Sequence, residues 1–265
     1  MSVLFGLPSE NVAPRATITA TPEDSAYPAR NLADLNPGKP SKLTAKSGNW
    51  VLDFGTAQRV DLVALWHHNL DARLTVLFQG NDSDSWGAPA LSQTITIPAL
   101  PRDGYPLCPF LDLSAFMVGS PIGYRYYRLQ VPNANSANLA IGDLWLAEIR
   151  HDFSGALQWG LQETPDHPTV EHETEFRVGT VYDLGVRLRT IRGTVKAKPV
   201  LAAMLRDWDA DAHGRARASL FIKDSSVNDA LFVRFAPGGL TETARGPSMS
   251  FFDFVVNEIG RGLPL

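Results

Sequence analysis

Three acidic residues at alternate positions could begin a calcium-binding loop: Asp207, Asp209 and Asp211. Such a loop needs a glycine at its sixth position and a glutamate at its twelfth, but Gly214 comes too late and the closing position holds Ala218. In a helix, alternate positions diverge by about 200°, so the three carboxylates cannot converge on one ion. We therefore interpret them as a solvated helix end.

A second group could bind a metal through His167 and His172, with acidic side chains at 166, 171 and 173. The spacing of the two histidines matches no HExxH-type motif. In a strand, residues five apart face opposite sides of the sheet. An acidic surface strand or loop is the simpler interpretation.

Nucleophile and cofactor motifs are missing from the sequence. There is no G-x-S-x-G turn, no phosphate-binding G-x-x-x-x-G-K-[ST] loop and no dinucleotide-binding G-x-G-x-x-G after a strand. The sequence thus predicts a protein that is not an enzyme and has no cofactor. A hydrolase that uses an unrecognised pair among the 28 carboxylates remains the alternative.

The composition of the chain limits which partners the protein can bind and where it is made. The net charge of −4 gives no basic surface for neutralising phosphates, so nucleic-acid binding is not expected. Cys108 is the single cysteine, which excludes an intramolecular disulfide, and no stretch reaches the roughly 20 apolar residues of a membrane span. The N-terminus has no basic start like that of a secretory signal, which predicts synthesis in a cytoplasm.

Period-two patterning in the first half predicts many short strands separated by turns. The pattern indicates an antiparallel β-sandwich or barrel. The predicted strands cover residues 50–54, 59–66, 74–79, 93–97, 125–131 and 144–149, with Gly55 breaking the first of them.

The second half adds the only strong helix pattern to further strands. Val200, Met204, Leu205 and Trp208 recur at helical spacing after Pro199, which predicts a helix over residues 199–212. Two strands are expected at 171–178 and 181–195, and others at 218–223, 230–235 and 248–257. We predict two domains, residues 1–152 and 153–265.

Residues 20–150 carry a series of motifs in a familiar order. Residues 27–34 (YPARNLAD), 49–55 (NWVLDFG), 81–86 (NDSDSW) and 144–149 (LWLAEI) are the clearest. In this order the motifs resemble the discoidin family, also called F5/8 type C or galactose-binding-like. The resemblance implies a jelly-roll β-sandwich that binds ligands at loops on one end.

Two sets of site residues follow from this resemblance. A structural calcium ion, which is common in the family, would be held by Asn31, Asp34, Asn36 and Glu148. In the ligand loops, aromatic rings suit stacking on a sugar and polar groups suit its hydroxyls. The alternative is that Trp86 packs on the sandwich and residues 67–69 form a turn. The candidate ligand-binding residues are Trp66, His67, His68, Asn69, Asp82 and Trp86.

A narrower resemblance points to tailed-bacteriophage proteins. Residues 27–42 (YPARNLADLNPGKPSK), 51–55 and 62–70 (LVALWHHNL) look like domains of tail and baseplate proteins. The layout of the second half is similar to the tail-tube-like fold, which implies a β-sandwich or barrel with one helix that forms a ring.

The leading hypothesis is therefore a virion structural protein of a phage tail tip or baseplate, a homo-oligomeric ring that contacts other tail proteins. It would be made in the host bacterial cytoplasm, and its first domain would dock a protein or a cell-surface carbohydrate. The alternative is a carbohydrate-binding module that assists a glycan-active enzyme. Within-sheet pairing is the alternative role for the candidate interface residues, which are Gly179, Thr180, Arg187 and Arg189.

Overall fold

The computed structural model describes most of the chain. The described residues are 3–34, 36, 39–99, 108–116, 123–152, 156, 161–166, 169–173, 179–183, 188–212, 217–222, 230–245 and 248–259. The strands are β1 (Leu4–Gly6), β2 (Thr17–Thr21), β3 (Ser41–Lys42), β4 (Gly48–Gln58), β5 (Leu62–His68), β6 (Thr75–Asn81), β7 (Leu91–Thr96), β8 (Phe110–Asp112), β9 (Tyr124–Val131), β10 (Ala140–Ala147), β11 (His151–Asp152), β12 (Gln162–Asp166), β13 (Thr169–Glu173), β14 (Gly179–Asp183), β15 (Leu188–Ala197), β16 (Ser219–Ile222), β17 (Leu231–Arg245) and β18 (Ser250–Glu258). The helices are α1 (Pro199–Asp211) and three 3₁₀ turns, Pro8–Glu10, Ala13–Arg15 and Ala29–Ala33.

The chain divides into two compact units. The first comprises Met1–Asp152 together with Leu220–Ala230, and the second is built from Phe153–Ser219 and Leu231–Leu263. The sequence-based division differs in assigning residues 220–230 to the second domain. Residues 220–222 lie in β16, which pairs with β1 of the first unit. β1 in turn pairs with β11 of the same unit.

The first unit is a β-sandwich. Its five-stranded sheet has the order β2-β4-β9-β6-β7, and its four-stranded sheet has the order β3-β10-β5-β8, with antiparallel pairing in both. Side chains from both sheets form one buried core, in which Trp50 and Tyr127 of the first sheet pack with Leu65 and Leu144 of the second. The predicted fold class, mainly β with sandwich architecture, is confirmed.

Alternation along the strands explains this core. In β9, Tyr127, Leu129 and Val131 are buried while the residues between them reach the outer face. Gly55 does not end β4 as predicted, because the strand runs on to Gln58. Gly55 has φ = 73°, a left-handed conformation that glycine readily adopts. It lies where the pairing of β4 with β9 shifts register, so the strand continues through an irregularity at this point.

The second unit contains a sheet with the order β17-β18-β15-β12 and the predicted helix. Trp208 of α1 is buried, donates its indole N–H to Ser219 Oγ (2.7 Å) and packs on Phe235, with ring centroids 4.6 Å apart. Val200 does not lie on the buried face, since 85% of it is exposed. The buried stripe of α1 runs through Ala202, Leu205 and Trp208 at intervals of three.

The predicted long strand over residues 181–195 is two strands in the structure, β14 and β15. β14 pairs with β13 as a two-stranded hairpin, and β15 joins the larger sheet between β12 and β18. A continuous apolar alternation could not show that the two ends of this segment pair with different partners.

No helix in the described part of the chain is both long and apolar enough to cross a lipid bilayer.

A hydrogen bond joins the two sheets of the first unit: the Trp50 indole of β4 donates to Ser41 Oγ of β3 (2.8 Å). Replacing Ser41 with alanine leaves this N–H buried without its acceptor, so we expect Ser41→Ala to lower the free energy of unfolding by about 1–3 kcal/mol. Chemical denaturation of the full chain measures the change. Ser25→Ala, at an exposed serine, is the matched control and should shift stability by less than about 0.5 kcal/mol.

Candidate functional site

The outer face of the five-stranded sheet carries polar and aromatic side chains. In β9, Tyr126 and Arg128 point outward because the residues that alternate with them fill the core. The neighbouring strand β6 places Gln79 opposite Arg128 and Asn81 opposite Tyr126. Directly opposite residues in antiparallel strands are about 5 Å apart, so these four side chains form one surface.

Arg128 is held in place by a neutral side chain. Its Nε and Nη2 donate to Gln79 Oε1 at 2.8 Å and 2.6 Å, and Gln79 Nε2 donates to Ser92 Oγ of β7 (3.2 Å). Burial lowers the pKa of the Arg128 guanidinium below its ordinary value, and the nearby charge of Asp84 acts in the opposite direction. The guanidinium stays charged at any physiological pH.

The turn after β6 brings Trp86 onto this arginine. Asn81 Nδ2 donates to the carbonyl of Ser85 (2.6 Å), which folds the turn back, and the Trp86 indole N–H donates to Asp84 Oδ1 (2.6 Å). The Arg128 guanidinium lies over the indole ring, 4.6 Å from its centroid. Part of Trp86 stays exposed. We call Trp86, Tyr126 and Arg128 together the Trp86 platform, and Gln79, which is only 6% exposed, holds Arg128 in place within it.

A second cation lies beside the platform, and a carboxylate neutralises it. Arg125 donates Nε and Nη2 to the two oxygens of Asp53 (2.8 Å and 2.9 Å), and its guanidinium lies over the Tyr126 ring, 4.8 Å from the centroid. The hydrogen bond from Arg125, aided by the N–H of Gly55, lowers the pKa of Asp53 from 3.8 to about 2. Asp53 is therefore ionised near neutral pH and raises the pKa of Arg125 in turn.

Such a surface can bind a ligand that has both an apolar face and polar edges. Aromatic rings offer flat apolar surface for stacking, and guanidinium and phenol groups provide hydrogen bonds at fixed positions. A sugar ring, with its C–H face and its hydroxyl edge, has this combination.

Three of the predicted ligand-binding residues are buried. Trp66 is 3% exposed, His67 7% and His68 2%. His68 accepts a hydrogen bond from the N–H of Leu70 (3.2 Å), and His67 has φ = 55°, a left-handed conformation near the end of β5. With so little surface, the Trp66 ring offers no stacking platform in this conformation.

Asn69 follows β5 and bonds to the start of β10 and the segment before it. Its amide donates to the carbonyl of Asn138 (2.6 Å), and its Oδ1 accepts from the N–H of Ala140 (2.9 Å). Asp82 is exposed and Trp86 is half-buried in the turn after β6. Ligand binding by the predicted set stays a prediction, and Trp86 is the member that lies on the platform.

The predicted calcium ligands are engaged in protein contacts. Asn31 Nδ2 donates to the carbonyl of Pro40 (3.3 Å), Asp34 Oδ1 accepts from the N–H of Asn36 (2.9 Å), and Glu148 lies 3.5 Å from an Arg15 nitrogen. Within the described ranges, no three His, Cys, Asp or Glu side chains are grouped so as to hold a metal ion. Calcium binding stays a prediction.

The structure describes three of the four predicted interface residues. Gly179 and Thr180 lie inside β14, opposite Glu173 and His172, so they do not form the hairpin turn. Arg187 lies outside the described residues.

Arg189 contacts acids on both neighbouring strands of its sheet. Its Nε and Nη2 donate to Glu258 of β18 (2.8 Å and 3.1 Å), and Glu163 of β12 is 3.8 Å away. A role for these residues in oligomer contacts stays a prediction.

Sequence reasoning missed Arg128, Gln79 and Tyr126 as site residues. One signal for two of them was present, because residues 125–131 (RYYRLQV) alternate and thus predict that Tyr126 and Arg128 share the outer face. No local signal could identify Gln79, since its contact with Arg128 joins residues 49 apart.

No family model and no curated protein matches the sequence. Solved structures similar to the chain include the lectin domain of lectinolysin complexed with Lewis B antigen, with 14% identity, TM-score 0.41 and coverage of 53% of this chain and 98% of that one. A family 32 carbohydrate-binding module from C. perfringens NanJ in complex with galactose has 14% identity, TM-score 0.39 and coverage of 56% and 99%. A Streptococcus pneumoniae fucose-binding module has 12% identity, TM-score 0.38 and coverage of 51% and 96%.

The lowered pKa of Asp53 predicts a pH dependence of stability. A depressed carboxyl pKa contributes stability that is fully present above the ordinary value of 3.8 and is lost as the pH falls through about 2. We expect the unfolding free energy to fall between about pH 4 and pH 2 and this fall to be smaller in Asp53→Asn. Denaturant titrations across this range measure it, with Asp82→Asn, at an exposed aspartate, as the control.

Proposed function

We propose that the first unit is a carbohydrate-binding domain and that the Trp86 platform is its binding surface. One observation carries the proposal: Trp86 is fixed by Asp84 at its indole N–H and by Arg128 at its ring, yet part of it remains exposed. A ring fixed in this way is ready to stack on a sugar.

The fixed geometry lowers the entropic cost of binding. Ordering a mobile side chain costs roughly 0.5–1.5 kcal/mol on association. Here Trp86 and Arg128 are already positioned by hydrogen bonds from β6 and its turn, and Gln79 is anchored to Ser92. Most of that cost is therefore met when the unit folds.

We further propose that this surface binds without catalysing a reaction. A glycosidase needs one carboxyl group that is protonated near neutral pH. Asp53, which lies beside the platform, does not suit that role, because the hydrogen bond from Arg125 lowers its pKa to about 2.

Loss of the indole should abolish most of the sugar affinity. We expect Trp86→Ala to weaken binding of the best ligand found on a glycan array at least about tenfold, equivalent to 1.4 kcal/mol. Isothermal titration on the full chain measures it. Tyr27→Ala is the matched control, because Tyr27 is also an exposed aromatic ring under a cation, with Lys42 Nζ 4.0 Å from its centroid.

Tyr27→Ala should leave the sugar affinity unchanged. A folded wild-type chain that binds no glycan on the array would refute the proposed function, and equal losses in the two variants would refute the assignment to Trp86.

A second candidate function is assembly into a ring as a structural protein of a phage tail tip or baseplate. The β13–β14 hairpin favours it, because within the described residues these two strands pair only with each other. An isolated two-stranded hairpin is marginally stable, and open strand edges can pair with another copy. In this role the chain would be made in the host cytoplasm, reside in the virion tail and contact other tail proteins.

The oligomeric state of the full chain tests this second candidate. We expect a closed homo-oligomer in mass photometry and a monomer after residues 169–183 are replaced by a short Gly/Ser linker. Val200→Ser, which alters an exposed apolar residue of α1, is the control and should leave the oligomer intact. A wild-type chain that stays monomeric at micromolar concentration argues against assembly.

A further inference from the structure

Two arginines of β9 lie close together in similar settings but have different partners. Arg125 and Arg128 each stack on an aromatic ring, Tyr126 and Trp86 respectively. Arg125 forms a two-pronged ion pair with Asp53, whereas the matching acceptor for Arg128 is the amide oxygen of Gln79. Among the residues that the structure describes, no carboxylate forms a salt bridge with Arg128.

The neutral partner leaves the positive charge of Arg128 uncompensated at contact distance. Gln79 Oε1 accepts from Nε and Nη2, so the N–H groups of Nη1 are not used by this contact. Asp84 is the nearby acid that influences Arg128, and it already accepts the Trp86 N–H. A guanidinium that has no carboxylate partner at contact distance can bind the carboxylate of a ligand. The two planar groups form strong charge-assisted hydrogen bonds.

We propose that Arg128 selects a carboxylate-bearing sugar, of the uronic acid class, at the Trp86 platform. The inference rests on the proposed carbohydrate-binding function and adds its ligand class. The Arg128 guanidinium covers one face of the Trp86 ring, so a sugar bound at the exposed part of the indole would direct its carboxylate past the ring edge toward the guanidinium.

Pairs of sugars that differ only in the carboxylate test whether the charge of the ligand determines its affinity. The probes are galacturonic, glucuronic and mannuronic acid oligosaccharides and the neutral galactose, glucose and mannose oligosaccharides of the same linkage and length. We expect the acidic member of at least one pair to bind the full chain about tenfold more tightly, measured by titration at about 0.15 M ionic strength, where charges interact over roughly 8 Å.

Two failures lead to different conclusions. Binding of both members of every recognised pair with equal affinity overturns the selection of acidic sugars and leaves the proposed function standing. Binding of no sugar at all overturns the proposed function and this inference with it. Both outcomes come from the wild-type chain and do not depend on any variant.

Gln79→Glu tests whether Arg128 is the selecting group. Glutamate has nearly the shape of glutamine, so it supplies the carboxylate that Arg125 finds in Asp53, and the Ser92 hydroxyl can donate to it. We expect the preference for the acidic sugar to fall below about twofold, with the affinities for both sugars measured in the same titrations. A preference that survives in Gln79→Glu overturns the role of Arg128.

Arg30→Gln is the charge-matched control, since it also lowers the net charge by one. Arg30 is exposed on the 3₁₀ turn Ala29–Ala33, away from β6 and β9 in the fold. The preference should persist in this variant. If Arg30→Gln abolishes it as fully as Gln79→Glu does, the effect is one of overall charge and the assignment to Arg128 is overturned.

Discussion

The burial of alternate residues along β9 fixes which side chains the five-stranded sheet presents on its outer face. Tyr127 and Leu129 are fully buried between the sheets, and the Tyr127 hydroxyl donates to the carbonyl of Gln58 (2.6 Å). A slip of one residue would exchange the two faces and move Arg128 into the core. Burying an unpaired charge there is costly, so the register of β9 against β4 and β6 is tightly specified.

That constraint fixes Tyr126 and Arg128 of the Trp86 platform, whereas Trp86 itself lies in the turn after β6. The core positions β9, β9 positions Arg128, and Arg128 together with Asp84 positions Trp86. A site supported by strands keeps its geometry better than a site made only of loops.

The choice of partner for each arginine is the feature that stability alone does not explain. At position 53 the sheet uses a carboxylate, which compensates the Arg125 charge, and at position 79 it uses an amide of almost the same shape as glutamate. The amide leaves Arg128 partly desolvated and without a compensating charge at contact. A local departure from the most stabilising arrangement is what a binding site requires.

Much of the fold could be predicted from the sequence. In residues 50–54 and 125–131, apolar and polar residues alternate, which matches the alternation of buried and outward side chains in a strand. The burial of residues 62–68 was harder to predict, because β5 is buried on both faces. A continuous apolar run does not show which of its residues face a core and which face a ligand site. This is why Trp66 and His68 were expected at a ligand site and lie in the interior. The pairing of Gln79 with Arg128 depends on β6 lying beside β9, which no local pattern encodes.

Because the chain has a net negative charge, selectivity for an acidic sugar must come from a cation at the binding surface. At −4 the whole molecule repels an acidic ligand at long range, so attraction to such a ligand must arise within a few ångströms of a cation. At physiological ionic strength the screening length of about 8 Å weakens that repulsion while a direct contact with a partly buried guanidinium is weakened much less. Arg128, stacked on Trp86 and bonded to a neutral amide, meets this requirement on the outer face, whereas Arg125 is already neutralised by Asp53.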